Sequence, residues 1–346
     1  MKLKLFAILL CVCLSKDYIS LKDRLLVPIY IKYGFSAGYN DNLFRFSDTE
    51  KDNFSSYNYM GNSSTYDSSI IKPEIKFLYS PYIGKNLTNF ILYGNITNYA
   101  DIDDKNNQYY SLRFDYKVGP YNWFKVGYKY SDNNFLRYYV DNDIPGQDYI
   151  RCDYRSENVY ANYSINLNTY GWMRIQVGNT KHFFNPNFTE FDLNISELIW
   201  NYYYKQKTNT FNLMLSNKKA SNTSYNNGLS STAFDRSYKQ NAIKISAKKQ
   251  LDEFLESFYV GFQIINREYL SESELDPLHS GRSHSEYYFF ISAMKELRYD
   301  MNIELKYNFR YRKTNSSFNW IESLKSFQDN QILVKFTYDM DIDLFY

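Results

Sequence analysis

Charged residues recur at every second position inside segments whose intervening residues are apolar. Lys32, the run Lys72, Glu74 and Lys76, and the run Arg113, Asp115 and Lys117 share this setting. So do Lys125, Lys129, Arg174, Lys244, Glu304, Lys306, Arg310, Lys335, Asp339, Asp341 and Asp343. A period of two places alternate residues on opposite faces of an extended strand. Such strands present fixed charges to water on one side and an apolar surface on the other. Opposite charges on adjacent strands can satisfy each other at close range. Basic groups outnumber acidic ones here, and an excess of fixed positive charge along a wet passage favours anions. These residues are therefore expected to line a pore with a modest anion preference, with some of them neutralised in pairs.

Residues suited to bond-making chemistry are sparse. The histidines are His182, His279 and His284, all in expected loops or at a strand start. A zinc site needs about four ligands in a supported geometry, and the segment Leu278–His284 offers an i, i+5 histidine pair with no nearby Cys. The His-x-Ser order of outer-membrane phospholipases is absent, since Ser280 and Gly281 follow His279, and Ser285 and Glu286 follow His284. Cys11 and Cys13 lie in an expected leader, which leaves Cys152 without an internal disulfide partner. No catalytic, cofactor-binding or metal-ligating residue is assigned. The expectation is a protein that is not an enzyme and carries no cofactor.

The elements that must position the charged face are long amphipathic strands. The clearest is the last. Ile332, Val334, Phe336, Tyr338, Met340, Ile342, Leu344 and Tyr346 alternate with Lys335, Thr337, Asp339, Asp341 and Asp343. Roughly 15 residues of alternation exceeds the usual soluble strand of about 5–6 and suits a tilted strand crossing a bilayer. Thirteen further segments of about ten residues show the same rhythm. The third, over Asn89–Tyr99, is weakly phased, and the twelfth, over Glu286–Glu296, is apolar on both faces. The spaces between segments alternate. Pro81–Leu87, Gly119–Asn122, Asn168–Tyr170, Gln206–Lys207, Gln250–Glu253 and Leu297–Asp300 are short. Asn40–Asp67, Ser131–Ser156, Lys218–Arg236, Glu268–Ser283 and Lys313–Asp329 are long, Lys181–Asp192 is intermediate and Asp101–Asn106 is short. Short periplasmic turns and long extracellular loops are the habit of bacterial barrels. The fold class expected is all-β, a transmembrane antiparallel up-and-down β-barrel of about 14 strands, with 12 or 16 as alternatives.

Composition agrees. Aromatic residues make up 20 % of the chain, with 38 Tyr, yet mean hydropathy is −0.56. Membrane barrels combine aromatic girdles with a polar interior. The net charge of +2 carries no nucleic-acid signal. Lys2 and Lys4 precede an apolar run from Leu5 to Leu14, too short for a spanning helix. Residues 1–15 are therefore expected to be a signal peptide, 16–26 a short periplasmic segment and 27–346 the barrel.

Tyr338, Met340, Ile342, Leu344 and the terminal Tyr346 resemble the C-terminal signal by which outer-membrane barrels are recognised by their assembly machinery. The stretch Gly38–Arg45 is similar to one found early in porin-like and exopolysaccharide-associated barrels, though the order around Asn40 and Asp41 departs from that pattern. In physical terms Asp41 and Asn42 can turn the chain, and Arg45 can pair with a carboxylate. The resemblance to the outer-membrane porin-like barrels implies a cell outer membrane location in a Gram-negative-type bacterium. It also implies passive diffusion of small polar or anionic solutes, with outer-membrane lipid and the assembly machinery as partners. Export or attachment of surface polysaccharide is the alternative. An outer-membrane enzyme and a soluble secreted β protein are the remaining readings.

Overall fold

The computed structural model describes residues 25–53, 58–120, 122–140, 149–223, 235–251, 254–271, 276–298 and 300–342. The expected signal peptide, together with Asp343, Leu344 and Tyr346, lies outside the described residues. The strands are β1 (Ile29–Asn40), β2 (Ser68–Tyr79), β3 (Tyr82–Ile83), β4 (Asn86–Tyr99), β5 (Asn107–Gly119), β6 (Asn122–Val140), β7 (Tyr149–Asn166) and β8 (Gly171–Phe184). They continue as β9 (Leu193–Gln206), β10 (Asn209–Asn222), β11 (Tyr238–Gln250), β12 (Ser257–Tyr269), β13 (Ser283–Arg298), β14 (Met301–Asn315) and β15 (Phe327–Ile342). Two short helices sit in the long connections, α1 (Asp48–Asp52) and α2 (Asn319–Lys325).

Neighbouring strands pair antiparallel, and β1 pairs with both β2 and β15, which closes the sheet. β3 is a two-residue piece folded back on β4, and β2 pairs directly with β4. The wall is therefore a closed barrel of 14 strands with one extra short strand. Closure leaves no open sheet edge. No described helix is long and apolar enough to cross a membrane.

The alternation of residue types becomes an alternation of faces. Phe35, Leu92, Leu112, Val126, Val177, Leu198, Ile245, Leu305, Ile332 and Phe336 stand exposed on the outer wall. The two weakly phased segments resolve. In β4, Phe90, Leu92 and Ile96 are exposed outward and Asn95 and Thr97 are buried. In β13, Phe289 is exposed outward and Glu286 is buried within. β13 reads as apolar on both faces because Phe290 points inward. Its ring stacks on Tyr259 at 5.8 Å and takes the space a side chain at Gly261 would fill.

The largest departure from expectation is the Ser131–Ser156 connection. β6 runs on to Val140, 19 residues in all, and β7 begins at Tyr149 with 18. A strand needs only about 9–11 residues to cross a bilayer, so this hairpin rises well above the wall. The alternation was hidden here because the β6–β7 pairing shifts register between Ser131 and Asn134 and again between Phe135 and Arg137. Each shift is a bulge that turns the strand's faces and breaks a simple period of two.

Candidate functional site

The lumen wall carries the predicted charged residues that the structure describes, and many are paired. Lys32 on β1 donates to Asp339 on β15 at 2.8 Å. Lys335 on β15 reaches diagonally past Gly34 on β1 to Glu74 on β2. A Cβ at Gly34 would lie 2.6 Å from Glu74 Oε1, so a side chain there would displace that carboxylate. Asp115, 2 % exposed, lies between Arg113 at 2.9 Å and Lys125 at 3.3 Å. Lys306 pairs with Glu304 at 3.0 Å, and Lys218 with Glu197 at 2.6 Å. Arg310 joins Arg312 in bonding Glu286, with Arg310 at 2.7 Å.

Other predicted wall residues form no ion pair among the described residues. Lys129 lies 4.8 Å from the Tyr160 ring centre and Lys244 lies 4.4 Å from that of Phe290. Arg174 donates to Ser164 at 3.1 Å. Lys72, Lys76 and Lys117 follow the same inward phase by register. Near the rim of short turns, Lys32, Lys76, Asp339 and Asp341 share a recess of about 230 Å³. Tyr338, Met340 and Ile342 lie in β15, in the strand that closes the barrel.

The rim of long connections is narrowed by the first of them, described over residues 41–53 and 58–67. Asn42 pins its start by accepting from Phe46 N at 2.8 Å and donating to the Phe46 and Gln328 carbonyls at 2.8 Å. Asp41 accepts from the Asn330 amide and side chain at 2.7 Å. Ser47 and Glu50 then form a capping box that starts α1. Glu50, 1 % exposed, ion-pairs with Arg137 of β6, whose guanidinium also donates to the Phe44 carbonyl at 3.2 Å. The connection is thereby tied across the opening to the tall β6–β7 hairpin. Lys105 supports it from below, donating to the carbonyls of Phe135 and Leu136 at 2.9 and 3.0 Å, with the Phe44 ring 4.6 Å away. Burial drives the Lys105 pKa well below its ordinary value, reinforced by Arg45 and Arg137.

This tie carries Phe44 and Arg45 inward. Arg45 takes a left-handed backbone conformation, φ 56°, which is uncommon for a side-chain-bearing residue and concentrates at functional positions. The expected carboxylate partner is not found, and Arg45 forms no ion pair among the described residues. Burial lowers its pKa, and Arg310 opposite it acts in the same sense. Phe44, Arg45, Arg137, Tyr154 and Arg310 line two cavities at once, one of about 500 Å³ toward the barrel and one of about 470 Å³ toward the mouth. They form a waist between the two.

The mouth cavity holds residues that the alternation does not single out. Arg236, Arg267, Arg282, Arg312 and Lys325 line it, beside Phe184, Phe191, Tyr238, Tyr269 and Phe327. The arginines sit at strand ends or in connections, where the apolar period has already stopped. Their only sequence signal is arginine next to aromatic residues, as in Arg267–Tyr269. His182, His279 and His284 come together here as well. His279 Nδ1 lies 2.9 Å from Asp276, and burial lowers its pKa to about 4 despite that bond. Among the described residues no group of three or more His, Cys, Asp and Glu is placed to hold a metal ion. Cys152 is buried and free.

No family model and no curated protein matches the sequence. Solved structures do resemble the fold. The outer membrane channel DcaP of Acinetobacter baumannii is 10 % identical, over 90 % of this chain and 97 % of that one, with a TM-score of 0.49. An anion-selective porin from Comamonas acidovorans is 8 % identical, over 90 % and 98 %, with a TM-score of 0.43. OccAB4 of Acinetobacter baumannii is 8 % identical, over 92 % and 100 %, with a TM-score of 0.43.

Proposed function

We propose that the chain is a porin-like channel of the outer membrane, passing small polar solutes by diffusion with a modest preference for anions. The observation that carries this reading is the pairing of an apolar outer wall with a charged lumen in which basic groups without an ion pair outnumber acidic ones such as Asp329 and Asp341. Lys129, Arg174 and Lys244 on the wall, and Arg45 beside the two cavities, form no ion pair among the described residues. Fixed positive charge between low-dielectric walls raises the local concentration of anions. In this reading the short turns face the periplasm, the long connections face outward, and β15 presents its aromatic outer face to the assembly machinery.

Planar-bilayer recordings test the proposal. Discrete channel currents are expected, and in asymmetric KCl the reversal potential takes the sign of a chloride preference. Absence of conductance, or a cation preference, overturns it.

A second reading, passage of polysaccharide, draws on aromatic side chains that face inward near the short turns. Trp172 and Tyr203 stack at 4.8 Å with an interplanar angle of 7°, and Trp123 lies beside Lys125. Flat aromatic faces suit sugar rings. Current block by added oligosaccharide, with relief on Trp172→Ala, would favour it over a general pore.

A further inference from the structure

We infer that the mouth cavity is a binding site for small organic carboxylates that carry a flat aromatic body. The inference rests on the channel reading only for the ligand's onward route.

Arg282 is 6 % exposed and its guanidinium carbon lies 4.0 Å from the centre of the Tyr269 ring. Arg236 lies 4.5 Å from that of Phe191. A guanidinium laid on a ring spends none of its N–H donors on the ring, and those donors radiate in its own plane. In both residues one buried nitrogen is left without a hydrogen-bond partner, Nε of Arg282 and a terminal nitrogen of Arg236. A buried donor left unmade is costly. Both residues line the same cavity of about 470 Å³. Glu190, which also lines the cavity, is itself partnered, and the other acids nearby are committed elsewhere. Glu286 is held by Arg310 and Arg312, Glu50 by Arg137, and Asp276 by His279.

The missing acceptor is thus an external anion. A carboxylate matches a guanidinium fork with two parallel bonds. The aromatic walls narrow the choice further, because an inorganic anion gains nothing from Phe184, Phe191 or Tyr269, whereas a flat apolar body buries against them. The volume falls within the range of small-ligand pockets, about 300–1,000 Å³.

Titration calorimetry on the folded barrel in detergent tests this with benzoate as probe. Saturable benzoate binding is expected, with benzamide and inorganic phosphate each weaker by about tenfold or more, the scale of one charge-assisted hydrogen bond. Arg282→Gln should weaken benzoate by about the same factor, and Arg282→Lys, which keeps the charge but not the fork, should also weaken it. Lys205→Gln, at the opposite rim, should bind as the unchanged protein does. Folding of each variant is checked by heat-modifiable mobility on gels, and Arg236→Gln serves if Arg282→Gln does not fold. Undetectable benzoate binding overturns the inference, as does equal binding of benzamide or phosphate, or full affinity in folded Arg282→Gln. Bilayer currents from the same preparation separate the two claims. A conducting barrel that ignores benzoate overturns only the site, and a benzoate-binding barrel that does not conduct overturns only the channel.

Discussion

Glu50 decides where the first long connection lies. It caps α1, and it neutralises Arg137, which is 9 % exposed. Removing one member of a buried ion pair typically costs about 3–5 kcal/mol, because the other charge stays buried alone. Glu50→Ala is therefore expected to free residues 41–53 from the waist. The measurable outcome is a larger and noisier single-channel conductance, and an unchanged conductance would show that the connection is held by other contacts. Lys325 provides a pH effect at the same scale. Burial lowers its pKa to about 7, helped by Arg137 and Arg282 and opposed by Glu50 and Tyr269. Its folded value lies below its ordinary one, so it loses its proton as pH rises through 7, and the mouth loses a positive charge. Anion preference should fall between about pH 6 and about pH 8, and Lys325→Gln should reduce that step. His279 is already neutral in this range and does not contribute.

The strands and their connections differ in how far the sequence reveals them. β1 ends at Asn40 and β2 begins at Ser68, the limits expected from the Asn40–Asp67 gap. The alternation legible in β15 appears in the structure as Ile332 and Phe336 outside and Lys335 and Asp339 inside. That success has a simple cause, since one apolar face fixes register and a slip of one residue would reverse every side chain. The tall hairpin was not legible because its bulges break the period, and the mouth arginines were not because connections have no period to read. The Gly38–Arg45 stretch draws attention to Arg45 in the sequence, but its position between the two cavities depends on Asn42 and Glu50 binding partners remote in the chain. Close approach between strands is a further property of elements. A Cβ on Gly38 of β1 would collide with the main-chain oxygen of Ile332 in β15. Gly38→Ala should destabilise that pairing by about 1–3 kcal/mol or more, read as a lower unfolding temperature of the heat-modifiable band. Gly127→Ala, whose Cβ would meet only the Tyr160 side chain, should be milder and act by moving that ring in the lumen.

At the scale of the whole molecule, contacts along the junction of the first and last strands share one property. Lys32 with Asp339, Lys335 with Glu74, and Asp41 with Asn330 each join the beginning of the chain to its end. None can form while the sheet is still an open ribbon, however complete its hairpins are. Until that moment Lys32, Lys335, Glu74 and Asp339 are single charges accessible to ions, and afterwards they are neutral couples. Completing the ring therefore changes the molecule's electrostatic state all at once. Dissolved salt should act on that last step as well as on hairpins whose strands carry an ion pair, such as β5 with β6 and β13 with β14. The barrel carries along one line a chemical record of whether it has been finished.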